Sequence, residues 1–154
     1  MKLLRFALAA ATLVALLALA TPAMAATTTT YHATFVEIGS GGPAAGVSCG
    51  SATISQLGHV ANQCIVFNAC GLNCHVRTIT FDDGSTLMIH ESIVGTISPG
   101  NSSAAGANAP LFLKITQTIV GGTGRLAGAT GSGSGTVNTA AGSVIIASGT
   151  ITLP

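Results

Sequence analysis

The chain carries almost no charge: Asp, Glu, Lys and Arg together make up 6% of its 154 residues. Beyond residue 25 the basic residues are Arg77, Lys114 and Arg125, against Glu37, Asp82, Asp83 and Glu91, a net charge of −1 with histidines neutral. Nucleic-acid surfaces displace counterions with several Lys or Arg side chains, so three scattered ones exclude that partner. The same scarcity excludes a polybasic membrane patch. Tryptophan is missing and aromatics amount to 4%, too few for the girdles of an outer-membrane barrel. Disorder is excluded from the other side. A disordered chain is charged and poor in β-branched residues, whereas 48% of this one is hydrophobic. Surface polarity therefore falls to Thr, Ser, Asn and Gln, as in secreted β proteins.

Long apolar runs are also scarce. The one from Phe6 to Ala20 falls short of the roughly 20 residues a membrane span needs. Lys2 and Arg5 precede it, and Pro22 and Ala23-Met24-Ala25 follow, the pattern of a secretory signal peptide cut after Ala25. The expectation is a signal peptide over 1–25, one domain over 26–154, a secreted or periplasmic protein, and no membrane span after processing. A mature chain of this length builds one core.

Cys49, Cys64, Cys70 and Cys74 remain after processing. An even count in a small exported domain reads as two disulfides, with three pairings open. The rival is a zinc site from Cys64, Cys70, Cys74 and His75, but the spacing lacks a C-x2-C knuckle. Disulfides are expected, and no metal or cofactor.

Apolar residues spaced for a helix are lacking too. Short alternating or β-branched runs recur between Gly, Ser, Asn and Pro clusters, which is strand patterning. Eight strands are predicted, near Tyr31–Ile38, Ser48–Ser55, Val60–Phe67, Val76–Phe81, Thr86–Val94, Leu111–Val120, Leu126–Val137 and Ser143–Leu153. Ser98–Pro110 reads as a surface loop. In "TITFDDGSTLMI", Asp82-Asp83-Gly84 fits a three-residue hairpin connection with Gly84 left-handed. That register pairs Phe81 with Ser85, Ile79 with Leu87, Arg77 with Ile89 and His75 with Glu91. Arg77, His75 and Glu91 then share a face with Ile79, Phe81, Leu87 and Ile89.

"TIVGGTGRLAGATGSG" invites a dinucleotide reading, since Gly122, Gly124 and Ala127 match G-x-G-x-x-G/A. The motif needs a helix next, but glycines at 128, 131, 133 and 135 each cost a helix about 1 kcal/mol. No acidic residue follows Glu91 to hold a ribose. The dinucleotide reading fails, and the glycines instead suit a tight turn at Gly121–Gly124 and a strongly coiled strand.

"GGTGRLAGATGSGSGTV" with "GSVIIASGTITL" resembles the C-terminal hairpins of the allene oxide cyclase-like barrels, a superfamily that includes plant dirigent proteins. "FDDGSTLMIHESIVGTISPG" is similar to the preceding hairpin in secreted bacterial members. The resemblance spans about Val76 to Leu153 and is weak over Tyr31–Cys74. It implies an all-β fold with a single eight-stranded antiparallel β-barrel, often oligomeric in the plant members, which leaves a homo-oligomer open. It also implies a cavity for apolar substrates, since plant members cyclise an unsaturated epoxide or steer radical coupling. It carries no catalytic residue over.

Candidate site residues come from the hairpin. Glu91, Arg77 and His75 form a possible cavity cluster, in which a desolvated carboxylate would have a raised pKa unless a cation pairs with it. A paired charge closing one barrel end, or an outward polar cluster, is the plainer alternative. Glu37 shares the alternation of Ala33 and Phe35 and is either a second cavity acid or an edge residue. Tyr31 is a ligand-orienting or core aromatic. His59 and His90 lack partners at metal-ligand spacing. The function put first is binding of a small apolar ligand in the barrel. A cyclase, isomerase or dirigent-like protein and a structural module with a filled barrel are the alternatives, so enzymatic activity is left open.

Overall fold

β-Branched residues alternating with polar ones favour strands because each strand can bury one face and solvate the other. The structure, a computed structural model, describes residues 25–38, 46–97, 112–139 and 143–154. The expected signal peptide up to residue 24 and the expected surface loop at Ser98–Pro110 fall outside the described residues. Eight strands form: β1 (Thr27–Glu37), β2 (Val47–Ile54), β3 (Val60–Gly71), β4 (Cys74–Phe81), β5 (Thr86–Ile97), β6 (Phe112–Gly122), β7 (Thr130–Asn138) and β8 (Val144–Leu153). Each pairs antiparallel with its sequence neighbours, and β1 pairs with β8 from Thr27↔Leu153 to Val36↔Val144. The sheet is a closed barrel, as expected, and closure leaves no strand edge unpaired.

The β4–β5 hairpin has the register read from its turn, with His75↔Glu91, Arg77↔Ile89 and Ile79↔Leu87 paired. Gly84 has φ of 80°, and Phe81 and Ser85 close the turn by a main-chain hydrogen bond of 2.9 Å.

Three expectations about the chain need correction. The strand placed at Leu126–Val137 begins at Thr130, because Gly124–Leu126 is a single 3-10 turn. The turn placed at Gly121–Gly124 lies further on, because β6 continues to Gly122 with a bulge opposite Met88 and Ile89. The strand placed at Val60–Phe67 runs on to Gly71, with a register shift against β4 between Val66 and Gly71 and Asn68 at φ of 56°.

One end of the barrel is sealed. Leu57, Phe81, Leu126 and Ala129 are buried there. Arg125 binds Asp83 Oδ2 at 2.7 Å, donates to the Leu57 carbonyl and lies 4.7 Å over the Phe81 ring, so it ties three connections together. The Asp83 carboxyl is held below the usual range by the Ser85 N–H and then by Arg125. Gly124, with φ of 59°, packs so close to Ser85 that a Cβ there would clash. The glycine stretch that resembles a phosphate loop is thus the stopper of the barrel.

The disulfides are Cys49–Cys64, which joins directly opposed residues of β2 and β3, and Cys70–Cys74, which closes the tip between β3 and β4. Loop-closure entropy grows with the length enclosed, giving about 3 kcal/mol for the first and about 2 kcal/mol for the second. Urea unfolding is expected to show Cys49→Ala/Cys64→Ala as the less stable of the two double variants, and equal midpoints would contradict that ranking.

Candidate functional site

Inward positions in the middle of the barrel are polar. Tyr31 and Glu37 on β1, Gln63 on β3, Arg77 on β4, Glu91 on β5 and Gln117 on β6 are all buried. Such groups must replace water with one another, because an unpaired buried charge costs several kcal/mol. They do. Arg77 Nε and Nη2 donate to Glu91 Oε1 and Oε2, each at 2.9 Å, a bidentate pair. Arg77 Nη2 also donates to Glu37 Oε1 at 2.8 Å, and Nη1 donates to Gln63 Oε1. Gln117 Nε2 donates to Glu91 Oε1 and accepts at Oε1 from the Tyr31 hydroxyl, both at 2.7 Å. The guanidinium lies 4.3 Å over the Phe35 ring, a cation–π contact on its remaining face. Among the described residues no buried side-chain nitrogen or oxygen lacks a partner.

Tyr31 needs room for its ring. A Cβ at residue 133 would collide with the Tyr31 hydroxyl, so Gly133 is the complement of this tyrosine.

Above the network the barrel opens into a cavity of about 460 Å³. Ile65, Ile93, Leu113, Ile115, Val137 and Ile145 form apolar walls, with Glu37, Arg77 and Glu91 at the floor and His75 on the side. A groove of about 570 Å³ also lies on the outer face of β1, β2, β7 and β8, beside His32 and His59. Both of these histidines are exposed, and the groove holds no buried charge. The inner cavity is therefore the candidate site.

The structure brings the three hairpin candidates to this cavity, and Glu37 joins them instead of lying at an edge. Tyr31 is a core residue without cavity contact, and His59 pairs with exposed Asp82 at 2.9 Å. Gln63 and Gln117 were missed. Gln117 shares the parity of Ile115 and Ile119 and so was readable as inward, but the β3 register shifts between Val60 and Asn62, which conceals the inward parity of Gln63.

Geometry divides the roles. Arg77 stays protonated: burial works against its charge, and Glu91 with Glu37 more than offsets that. Both oxygens of Glu91 are engaged, so Arg77 and Glu91 fix the floor. Glu37 spends only one oxygen on Arg77, and burial raises its pKa despite that bond, with the Glu91 charge adding to the rise. His75 Nδ1 accepts from the Asn68 N–H at 3.0 Å, which leaves Nε2 to carry the proton of the neutral ring. Burial pulls its pKa down, which favours the neutral ring. Of the ionisable groups at the cavity, Glu37 keeps an acceptor and His75 a donor, and Ser48, Asn68 and Asn73 add polar side chains to the lining.

No family model, curated protein or solved structure matches the chain. No helix among the described residues is long and apolar enough to cross a membrane.

Two measurements test the network. Burial, then the Glu91 charge, pushes the Tyr31 phenol from 10.0 up to about 12. A raised native value means stability is intact below pH 10 and declines as pH rises from 10 towards 12. With one tyrosine and no tryptophan, absorbance near 295 nm reads this group alone. Its midpoint is expected near 12 in the native protein and near 10 in urea. Secondly, Arg77→Met strands two buried carboxylates and is expected to cost about 3–5 kcal/mol. Adding Glu37→Gln and Glu91→Gln should recover part of that loss in urea melts, and no recovery would deny the charge pairing.

Proposed function

We propose that the protein binds a small, largely apolar molecule in the open half of its barrel. The observation that carries this reading is the apolar-walled cavity of about 460 Å³ standing on a self-satisfied polar floor. Small-molecule sites fall at roughly 300–1,000 Å³ and combine apolar walls with a few placed polar groups. The sealed half is packed with side chains, so a ligand enters no further than Arg77. The resemblance of the C-terminal hairpins to allene oxide cyclase-like barrels supports the same reading, as does export, which the two disulfides suit.

The floor restricts the ligand's polar end. Two carboxylates face one guanidinium, so ionised they leave a charge of −1, which repels an anionic headgroup. Glu37 and His75 offer an acceptor and a donor, which suit a hydroxyl. Binding is favoured over catalysis because Glu91 and Arg77 are spent on each other.

Calorimetric titration with a ten-carbon alcohol and the matching carboxylate tests this proposal. The alcohol is expected to bind at least tenfold more tightly, and Val137→Trp, which fills the cavity, should abolish binding while leaving the Tyr31 midpoint unchanged. Absence of binding by either molecule, or undiminished binding to Val137→Trp, would overturn the reading.

A further inference from the structure

The outer face of the barrel beside the open mouth holds a second cluster. Cys70, Cys74 and His90 place their sulfurs and one imidazole nitrogen within 4.8 Å of one another, all half-buried. Strand pairing explains the meeting. Cys74 opposes Ser92 and Val76 opposes His90, so His90 is the diagonal neighbour of Cys74 on the outward face. His90 makes no hydrogen bond or ion pair among the described residues, although it is half-buried. The zinc alternative considered from sequence fails in its original form. Cys64 is bonded to Cys49, and His75 lies on the cavity side with Nδ1 engaged by Asn68.

We propose that Cys70, Cys74 and His90 are a latent zinc site, masked by the Cys70–Cys74 disulfide and uncovered when a dithiol reduces it. The disulfide takes two electrons and two protons from the dithiol, which leaves as its own disulfide after a mixed-disulfide intermediate. Zinc then displaces the two thiol protons and binds both thiolates and the neutral imidazole, with water as fourth ligand. With Zn–S bonds of about 2.3 Å the sulfurs must separate to about 3.8 Å, a movement that side-chain rotation supplies. Two thiolates and an imidazole select a soft or borderline ion over calcium or magnesium.

The fold tolerates the change. The bond encloses only Gly71, Leu72 and Asn73, so opening it frees little chain. Cys49–Cys64 still joins β2 to β3 independently. Both cysteines are only half-buried, which admits the reductant.

The test is cobalt titration of full-length protein after limited dithiothreitol reduction and anaerobic desalting, with mass spectrometry confirming two free thiols. One Co2+ per chain is expected, with thiolate charge-transfer absorption that added Zn2+ removes, and none in oxidised protein. His90→Ala should weaken binding at least tenfold, and Cys70→Ser/Cys74→Ser should abolish it. Cys49→Ala/Cys64→Ala should retain the site, and the Tyr31 ionisation midpoint checks that each variant is folded. Absence of thiolate bands in the reduced protein would overturn the proposal, as would equal affinity in folded His90→Ala.

Discussion

Arg77 carries a positive charge into a barrel interior, where a buried ion costs several kcal/mol unless protein groups replace its water. The interior of this molecule follows from meeting that demand. Glu91, across the hairpin from His75, supplies the bidentate partner, and Glu37 and Gln63 come from strands on the other side of Arg77. Gln117 then adds a second donor to Glu91 Oε1, and Tyr31 satisfies Gln117. Five strands are thereby connected through one guanidinium. An apolar core of similar volume is often as stable, so the network's structural effect is to fix which strands face which. It also ends the packed half of the barrel at a defined level.

Below that level the interior is filled, and above it the walls are apolar but do not meet. The stopper at the sealed end follows the same logic on a smaller scale, since Arg125 crosses three connections and neutralises Asp83. The two arginines differ in surroundings and therefore in consequence. Arg125 is part-exposed, with water to replace lost partners, so its ion pair contributes little. Arg77 has no such substitute.

How far the sequence revealed this depends on the kind of signal. The β4–β5 face was legible because Asp82-Asp83-Gly84 suits a three-residue connection, and the turn sets the register of every residue behind it. Glu91, Arg77 and His75 could thus be grouped from spacing alone. Gln63 was hidden by the bulge near Ala61, which inverts the parity on which strand reading relies. Glu37 showed the right alternation, but its choice between edge and interior rested on the distant Arg77, and no local pattern encodes a contact forty residues away. Cysteine pairing was hidden for the same reason: Cys49 and Cys64 oppose each other only once β2 and β3 are in register.

The glycines show how one motif can suggest chemistry and supply geometry. Gly124 allows the turn against Ser85 that sets Arg125 across the sealed end, and Gly133 leaves the space that the Tyr31 ring fills. Neither touches the cavity, yet Gly133 acts on it, since Tyr31 holds Gln117 and Gln117 holds Glu91. A side chain at 133 would push the phenol away and leave the Gln117 carbonyl oxygen buried without a donor. The resulting penalty would fall on the same charged floor that the cavity rests on. The glycine-rich strand is therefore tied to the site through packing, although it contributes no functional group to it.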